Sequence, residues 1–492
     1  MKILLHGCQI GYSHYLKEAI KQACFKKIPV EWAMILYSNA GTLLKECEDI
    51  LGAEHCLYLQ RKLNDYMAME KIDLASLKTF SASLFECAFT SKVFPGHNDL
   101  QSESREYQLK LISGTHKIYK EFLLKVKPDF VFFPIIESYD SIILYHLCRE
   151  LNIEPVVYDH GRNLGVSFFT DSMYQGLPRY VHRITLSEEV RKKAADFIMT
   201  FRSNPTAPSL TLGSFPPPED VINIPYLRRG PVKRACQFII KRLQALGGLI
   251  TGHKIAGEPH LTDSYTIMHL IRIQLIPWTK KFRKLRRSRE RRYADLCQIS
   301  ELPDKFIYYP LQYGPETSLN TPSPFFIDQL RAIDLILNFM PADHYLVVKE
   351  HPSTEGTRSE NFYKELKRRS SVLMADTMMK NNEIIKESAL TISVTGTACL
   401  EAFLFGKPSL HIGKAFFSEW IYRFDSFYGF RALINDAIKS GKVEMDKIVD
   451  MVGRIFTIGD NLSIFSPMDP YVQYEFLMNK SNINKFLDML MK

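Results

Sequence analysis

The sequence predicts an α/β protein of two doubly wound, Rossmann-like domains facing each other across a cleft. Two observations predict it. Short unbroken apolar runs alternate with helical periodicity near both ends of the chain, and an aperiodic proline-rich stretch separates the two series. A length of 492 residues suits two or three folded units. The expected boundaries are 1–200 for a first Rossmann-like domain, 201–300 for a linker and helical basic insertion, 301–470 for a second Rossmann-like domain, and 471–492 for a terminal helix.

In the first series, KILLHG (Lys2 to Gly7) is a strand ending in glycine, and VEWAMILY (Val30 to Tyr37) is a second strand after a helix. A long helix from about Ser104 to Val126 leads into DFVFFP (Asp129 to Pro134), then a helix through Ile142 to Leu151, then PVVYDHG (Pro155 to Gly161). Unbroken apolar strands suit a parallel sheet covered on both faces. From Arg202 to Arg229 the pattern stops, with Pro216, Pro217 and Pro218 in a row. The second series runs through FIYYPLQ (Phe306 to Gln312), a helix over 325–339, YLVVKEHP (Tyr345 to Pro352), a helix over 358–369, VLMA, a helix over 382–388, LTISVTG (Leu390 to Gly396), a helix over 397–405, and PSLHIG (Pro408 to Gly413). Open α/β sheets bind ligands beyond the carboxyl ends of their strands, so the loops after Tyr309, Val348 and Val394 are where chemistry is expected.

Apolar residues make up 46% and charged residues 24% of the chain, which excludes a disordered composition. No apolar run reaches the roughly 18 residues of a membrane span, and the apolar core of Met1 to Ile10, interrupted by His6, is too short for a secretory signal, so a cytoplasmic location is expected. Nine cysteines, scattered from Cys8 to Cys399 without a CxxC pair, read as reduced packing residues. The net charge of +9 is concentrated in Lys280 to Arg292 (KKFRKLRRSRERR), which carries nine basic residues and one acid. Such a segment is either a contact for an anionic membrane surface or a solvated helix face; no nucleic-acid module accompanies it.

The series YYPLQYGPET (Tyr308 to Thr317), VVKEHPS (Val347 to Ser353) and VTGTACLEAFLFGKPSLHIG (Val394 to Gly413) resembles the capsule and lipopolysaccharide biosynthesis glycosyltransferases, a GT-B group that includes retaining β-Kdo transferases using CMP-Kdo. The resemblance spans about 110 residues of the second domain. It implies transfer of Kdo or a related acidic sugar from a CMP donor, without cofactor or metal, to a lipid-linked glycan acceptor. It also implies that His351 and Pro352 contact the donor phosphate and that Glu401 bonds the ribose hydroxyls. Gln312 stands where relatives tend to have His, and Cys399 and Leu400 replace a common Gly-Trp pair, which leaves a UDP- or GDP-sugar donor open.

The residues themselves point to the same place. Around Ser393, Thr395, Gly396 and Thr397 the chain passes from strand to helix, offering N–H groups and hydroxyls at a positive helix end, either for an anion or for a simple cap. Glu401 follows Thr397 by one turn. Lys349 is a second cation toward the donor or a solvated one, and Glu316 is the other acid expected near donor or acceptor. In the first domain Glu137, after the strand FVFFPII, is the leading catalytic carboxylate. Asp159 and His160 end the next strand, Asp159 as nucleophile, base or turn residue, and Arg162 can meet a carboxylate or phosphate of acceptor or donor. No DxD-like pair, GxSxG elbow or Walker lysine loop is present. A non-catalytic polysaccharide-binding or export scaffold is the alternative of another class.

Overall fold

A computed structural model describes residues 1–7, 10–36, 41–68, 104–136, 138–173, 176–205, 298–299, 301–312, 319, 323–350, 358–376, 379–462, 464 and 480–491. The first unit runs β1 (Lys2–Gly7), α1 (Ile10–Phe25), β2 (Glu31–Leu36), α2 (Gly41–Leu51), β3 (Cys56–Tyr58), α3 (Leu59–Met67), α4 (Arg105–Val126), β4 (Phe130–Phe133), α5 (Tyr139–Glu150), β5 (Glu154–His160), β6 (Ser167–Thr170) and α6 (Glu188–Ser203). Its sheet has the order β3-β2-β1-β4-β5-β6, parallel except between β5 and β6.

The second unit runs β7 (Gln298–Ile299), β8 (Phe306–Pro310), α7 (Gln329–Phe339), β9 (Tyr345–Lys349), α8 (Glu360–Lys367), β10 (Val372–Ala375), α9 (Asn381–Glu387), β11 (Leu390–Ser393), α10 (Thr397–Leu404), β12 (Ser409–His411), β13 (Tyr422–Arg423), α11 (Phe430–Ser440) and α12 (Met445–Ile458). Its described strands are all parallel, in the order β13-β12-β11-β8-β9-β10-β7. These are the two Rossmann-like sheets of a GT-B fold. The central strands β1, β4, β8, β9 and β11 are buried along nearly their whole length, which is why their sequences are apolar on both faces rather than alternating.

Helix starts follow local chemistry. Ser104, Ser187, Ser359 and Asp328 accept the N–H of Tyr107, Val190, Phe362 and Leu330, each at 3.1–3.3 Å. Asp328 explains why the helix expected over 325–339 is split: residues 324–326 form one tight turn, and the helix starts afresh at Gln329. β11 stops at Ser393 rather than Gly396 because the Ser393 hydroxyl takes the Gly396 N–H at 3.1 Å and turns the chain into α10.

Among the features not anticipated, two bear on how the units are built and joined. β6 pairs antiparallel with β5 on the edge of an otherwise parallel sheet. After α12 the chain also crosses back to the first unit. Ser167 and Asp460 exchange backbone hydrogen bonds at 2.8 and 2.9 Å, and the Leu462 carbonyl accepts from Tyr158 and Ser167 hydroxyls. Helix α13 (Lys480–Leu490) then packs on α1. The units also share a core in which Leu164, Phe168, Ile198 and Phe201 meet Leu400, Phe403 and Phe417.

Phe486 of α13 is fully buried, with ring centroids 5.1 Å from Phe132 and 5.5 Å from Tyr15. Phe486→Ala is expected to destabilise the first unit by about 3–5 kcal/mol, measured as a lowered denaturant midpoint; an unchanged midpoint would mean that α13 does not complete that core.

Candidate functional site

The carboxyl ends of β5, β8, β9 and β11 converge where the two units meet. Asp159 and His160 end β5, and the next residues form a tight turn, 162–164, in which Arg162 takes up left-handed backbone with φ +51°. That turn packs against α10. From it, the Arg162 guanidinium donates to the Thr395 carbonyl at 2.5 Å, and the Asn163 amide donates to a Glu401 carboxylate oxygen at 3.1 Å. The first unit is thereby tied by two polar contacts to the strand-to-helix passage of the second.

That passage is organised from below by Gln312. With its carboxamide oxygen turned to the loop, Gln312 accepts from the N–H groups of Gly396 at 2.8 Å and Thr395 at 3.1 Å. The cap of α10 is Gly396, with no side-chain cap, so neither Thr395 nor Thr397 fills that role. Thr395 is buried with its hydroxyl 3.2 Å from the Gln312 amide, whereas Thr397 is half-buried. The first-turn N–H groups of Thr397 and Ala398, which have no acceptor within the helix, are those positioned for an anion.

Consecutive residues of β9 and its exit serve different purposes because alternate side chains leave a strand on opposite faces. Glu350, fully buried, is held by Arg358 at 2.9 and 3.0 Å and by the Tyr363 hydroxyl at 2.9 Å; Arg358 in turn reaches the Gln312 carbonyl at 2.6 Å. This is a closed structural pair. Lys349 is only 5% exposed and donates to the Asn381 side chain at 3.0 Å, beside the Tyr308 hydroxyl on the same oxygen.

Burial and charge set the protonation of the site. Burial brings Lys349 down to about 8 against the attraction of Asp376, Glu401 and Glu350. It pushes Glu401 up to about 7, partly offset by the Asn163 hydrogen bond and by Lys349. Asp159 is pushed up to about 6 by burial, opposed by Arg162 and the His160 N–H. His160 falls to about 4 through burial and the Arg162 charge, so it is neutral at pH 7. One Asp159 oxygen accepts the His160 N–H at 2.8 Å; the other, Oδ2, is buried and has no hydrogen-bond partner among the described residues. A carboxylate poised this way beside a fixed guanidinium can act as nucleophile or base.

Of the residues expected at the site, Asp159, His160, Arg162, Gln312, Lys349, Ser393, Thr395, Gly396, Thr397 and Glu401 lie at these strand ends or on α10. Glu137, Glu316, His351, Pro352 and the basic segment 280–292 lie outside the described residues. Sequence reasoning missed Asn163, Asn381 and Arg358. Asn163 had a signal, since it follows Arg162 in the same strand exit, whereas Asn381 and Arg358 stand in segments with no distinguishing pattern.

The sequence model of the family described as "Capsule polysaccharide biosynthesis protein" matches residues 265–422, about a third of the chain and the part that carries the three motifs. No curated protein matches the chain. Among solved structures, the Thermosulfurimonas dismutans KpsC β-Kdo 2,7 transferase is 10% identical with a TM-score of 0.36, covering 76% of this chain and 88% of its own. The β-Kdo 2,4 transferase structure of the same KpsC gives the same identity and score over 72% and 88%. A UDP-GlcNAc 2-epimerase from Methanocaldococcus jannaschii is 11% identical with a TM-score of 0.22 over 93% and 99%.

Because the Glu401 pKa is raised on folding, its contribution to stability is full below its unfolded value and is lost as pH rises through about 7. Glu401→Gln is expected to match the parent at pH 4.5 and to exceed it by on the order of 2 kcal/mol at pH 8, read from paired denaturant midpoints; a pH-independent difference would refute the burial of this carboxyl.

Proposed function

We propose that the chain is a glycosyltransferase of bacterial surface polysaccharide synthesis, of capsule or O-antigen, and that it transfers Kdo or a related acidic sugar from a CMP-linked donor to a lipid-linked glycan. The observation that carries this reading is the meeting of Arg162 and Asn163 from one unit with Thr395 and Glu401 of the other, beside buried Lys349. The capsule-biosynthesis family match over 265–422 supports the same assignment.

In this reading the donor lies beyond β9 and β11. Lys349 and the first turn of α10 hold the phosphate, and Glu401, steadied by Asn163, binds the ribose hydroxyls. Arg162 is placed for the carboxylate of an acidic sugar. Asp159 acts on the anomeric carbon as nucleophile or as base, with retention of configuration and without a metal. The enzyme works at the inner face of the cytoplasmic membrane, where Lys280 to Arg292 would meet anionic lipid.

Calorimetric titration of CMP, UDP, GDP and ADP into the purified chain tests the donor. CMP is expected to bind selectively and to lose at least tenfold in affinity in Lys349→Ala. Selective UDP or GDP binding would discard the CMP donor and keep the transferase, and absence of nucleotide binding would favour a non-catalytic polysaccharide-binding or export role. Asp159→Asn is expected to leave CMP affinity within threefold and to reduce CMP release from CMP-Kdo by roughly a thousandfold or more; release within tenfold of the parent would remove Asp159 from the chemistry.

A further inference from the structure

We infer that His6 and Asp140 form a proton-accepting dyad serving the acceptor alcohol, at a place in the first unit to which nothing above assigns a role; the inference rests on the transferase reading. In the order β3-β2-β1-β4-β5-β6, the direction of winding reverses between β1 and β4. At such a switch point the crevice beyond the strand ends is where an open α/β sheet takes a ligand. His6, next to last in β1, and Asp140, in the first turn of α5 just after β4, stand on either side of it.

The two side chains are fully or almost fully buried, and His6 Nε2 lies 3.0 Å from Asp140 Oδ2. Asp140 is itself fixed: the Tyr119 hydroxyl donates to Oδ2 at 3.1 Å and the Ser138 hydroxyl donates to Oδ1. Burial alone would raise the Asp140 carboxyl, but the bonds from His6, Ser138 and Tyr119 outweigh it and hold the group below its ordinary value. An ionised carboxylate accepts only, so the Nε2 that faces it carries the proton. His6 Nδ1, buried and without a hydrogen-bond partner among the described residues, is left with its lone pair. His411 also has one nitrogen bonded, to the Ser418 hydroxyl, and the other bare, but its partner is a neutral hydroxyl; at His6 the partner is a carboxylate, and a carboxylate that fixes one nitrogen and leaves the other bare is how an imidazole is set to accept a proton.

As the acceptor oxygen bonds to the anomeric carbon, the bond from that carbon to its leaving oxygen breaks and that oxygen keeps the electron pair; it is the Asp159 carboxylate where Asp159 is the nucleophile, and the CMP phosphate otherwise. The alcohol proton passes to Nδ1, directly or across one water, and the imidazolium is balanced by Asp140 until the proton returns to solvent.

The full chain labelled with 15N-histidine, with His6→Gln identifying the signal, reports the tautomer. Nε2–H with bare Nδ1 is expected, and loss of that preference in Asp140→Asn; a proton on Nδ1 in the parent chain overturns the inference whatever the donor. In turnover, CMP release from CMP-Kdo with a methyl Kdo glycoside as acceptor should fall roughly 10²–10³-fold in His6→Gln and in the closer-shaped His6→Asn. CMP affinity should stay within twofold, and the limb of the pH profile that reports the base should disappear. Turnover and pH profile like the parent's in a folded His6 variant overturn the inference. If the parent chain fails to bind CMP, the donor assignment is what has failed, and the tautomer still decides the dyad.

Discussion

The placement of one side chain governs how the two halves of this molecule meet. Arg162 is buried, sits in left-handed backbone at a cost on the order of 1 kcal/mol, and donates from one guanidinium nitrogen to the carbonyl of Thr395. The ring of Phe417 lies 5.8 Å from the guanidinium carbon and adds a cation–π contact. Such a conformation persists only where the surroundings impose it. Here they do: Gly161 lets the Val166 carbonyl approach to 3.1 Å of where a Cβ would stand, and Leu164 is anchored in the core shared by the two units. The same turn that orders the arginine thus orients Asn163 toward Glu401 and Asp159 beside a fixed positive charge.

From that constraint follows a division between charge that is settled and charge that is poised. Glu350 and Arg358 neutralise each other with two short bonds and a tyrosine hydroxyl, and they brace Gln312 beneath the α10 loop. One residue earlier, Lys349 has a neutral amide as its partner, and Glu401 has another. Burying an ammonium and a carboxylate against amides rather than against full counter-charges draws both groups toward neutrality, where a small change in surroundings alters their protonation. The strand therefore turns a finished face to the protein and an unfinished one to the crevice.

Much of this was legible in the sequence. The central strands of both units stand out because a strand covered on both faces must be apolar at every position, and that pattern survives without knowledge of its neighbours; the short edge strands β3, β7 and β13 do not. The strand exits at Asp159–Arg162, Lys349 and Ser393–Glu401 were readable because polar residues interrupt such runs abruptly. His6 was readable only as an interruption, since its partner Asp140 is 134 residues away. Asn381 and Arg358 were invisible for the same reason: their meaning lies in Lys349 and Glu350, reached through tertiary packing alone. The antiparallel β6 was missed because SFFT is too short to display a period, and the return of α13 because an amphipathic helix does not name the surface it will cover.

The return of α13 bears on the order in which the chain can be completed. A ribosome makes β1 and α1 well before residues 480–490, yet Ile483, Phe486 and Leu487 belong to the same apolar cluster as Ile3, Leu5 and Leu16. The first unit can wind its sheet while synthesis continues, but the part of that cluster covered by α13 stays open until residues 480–490 have been made. During that interval an apolar surface of a half-built protein is open to other nascent chains. Chaperone demand on β1 and α1 is therefore expected to last until α13 has been made.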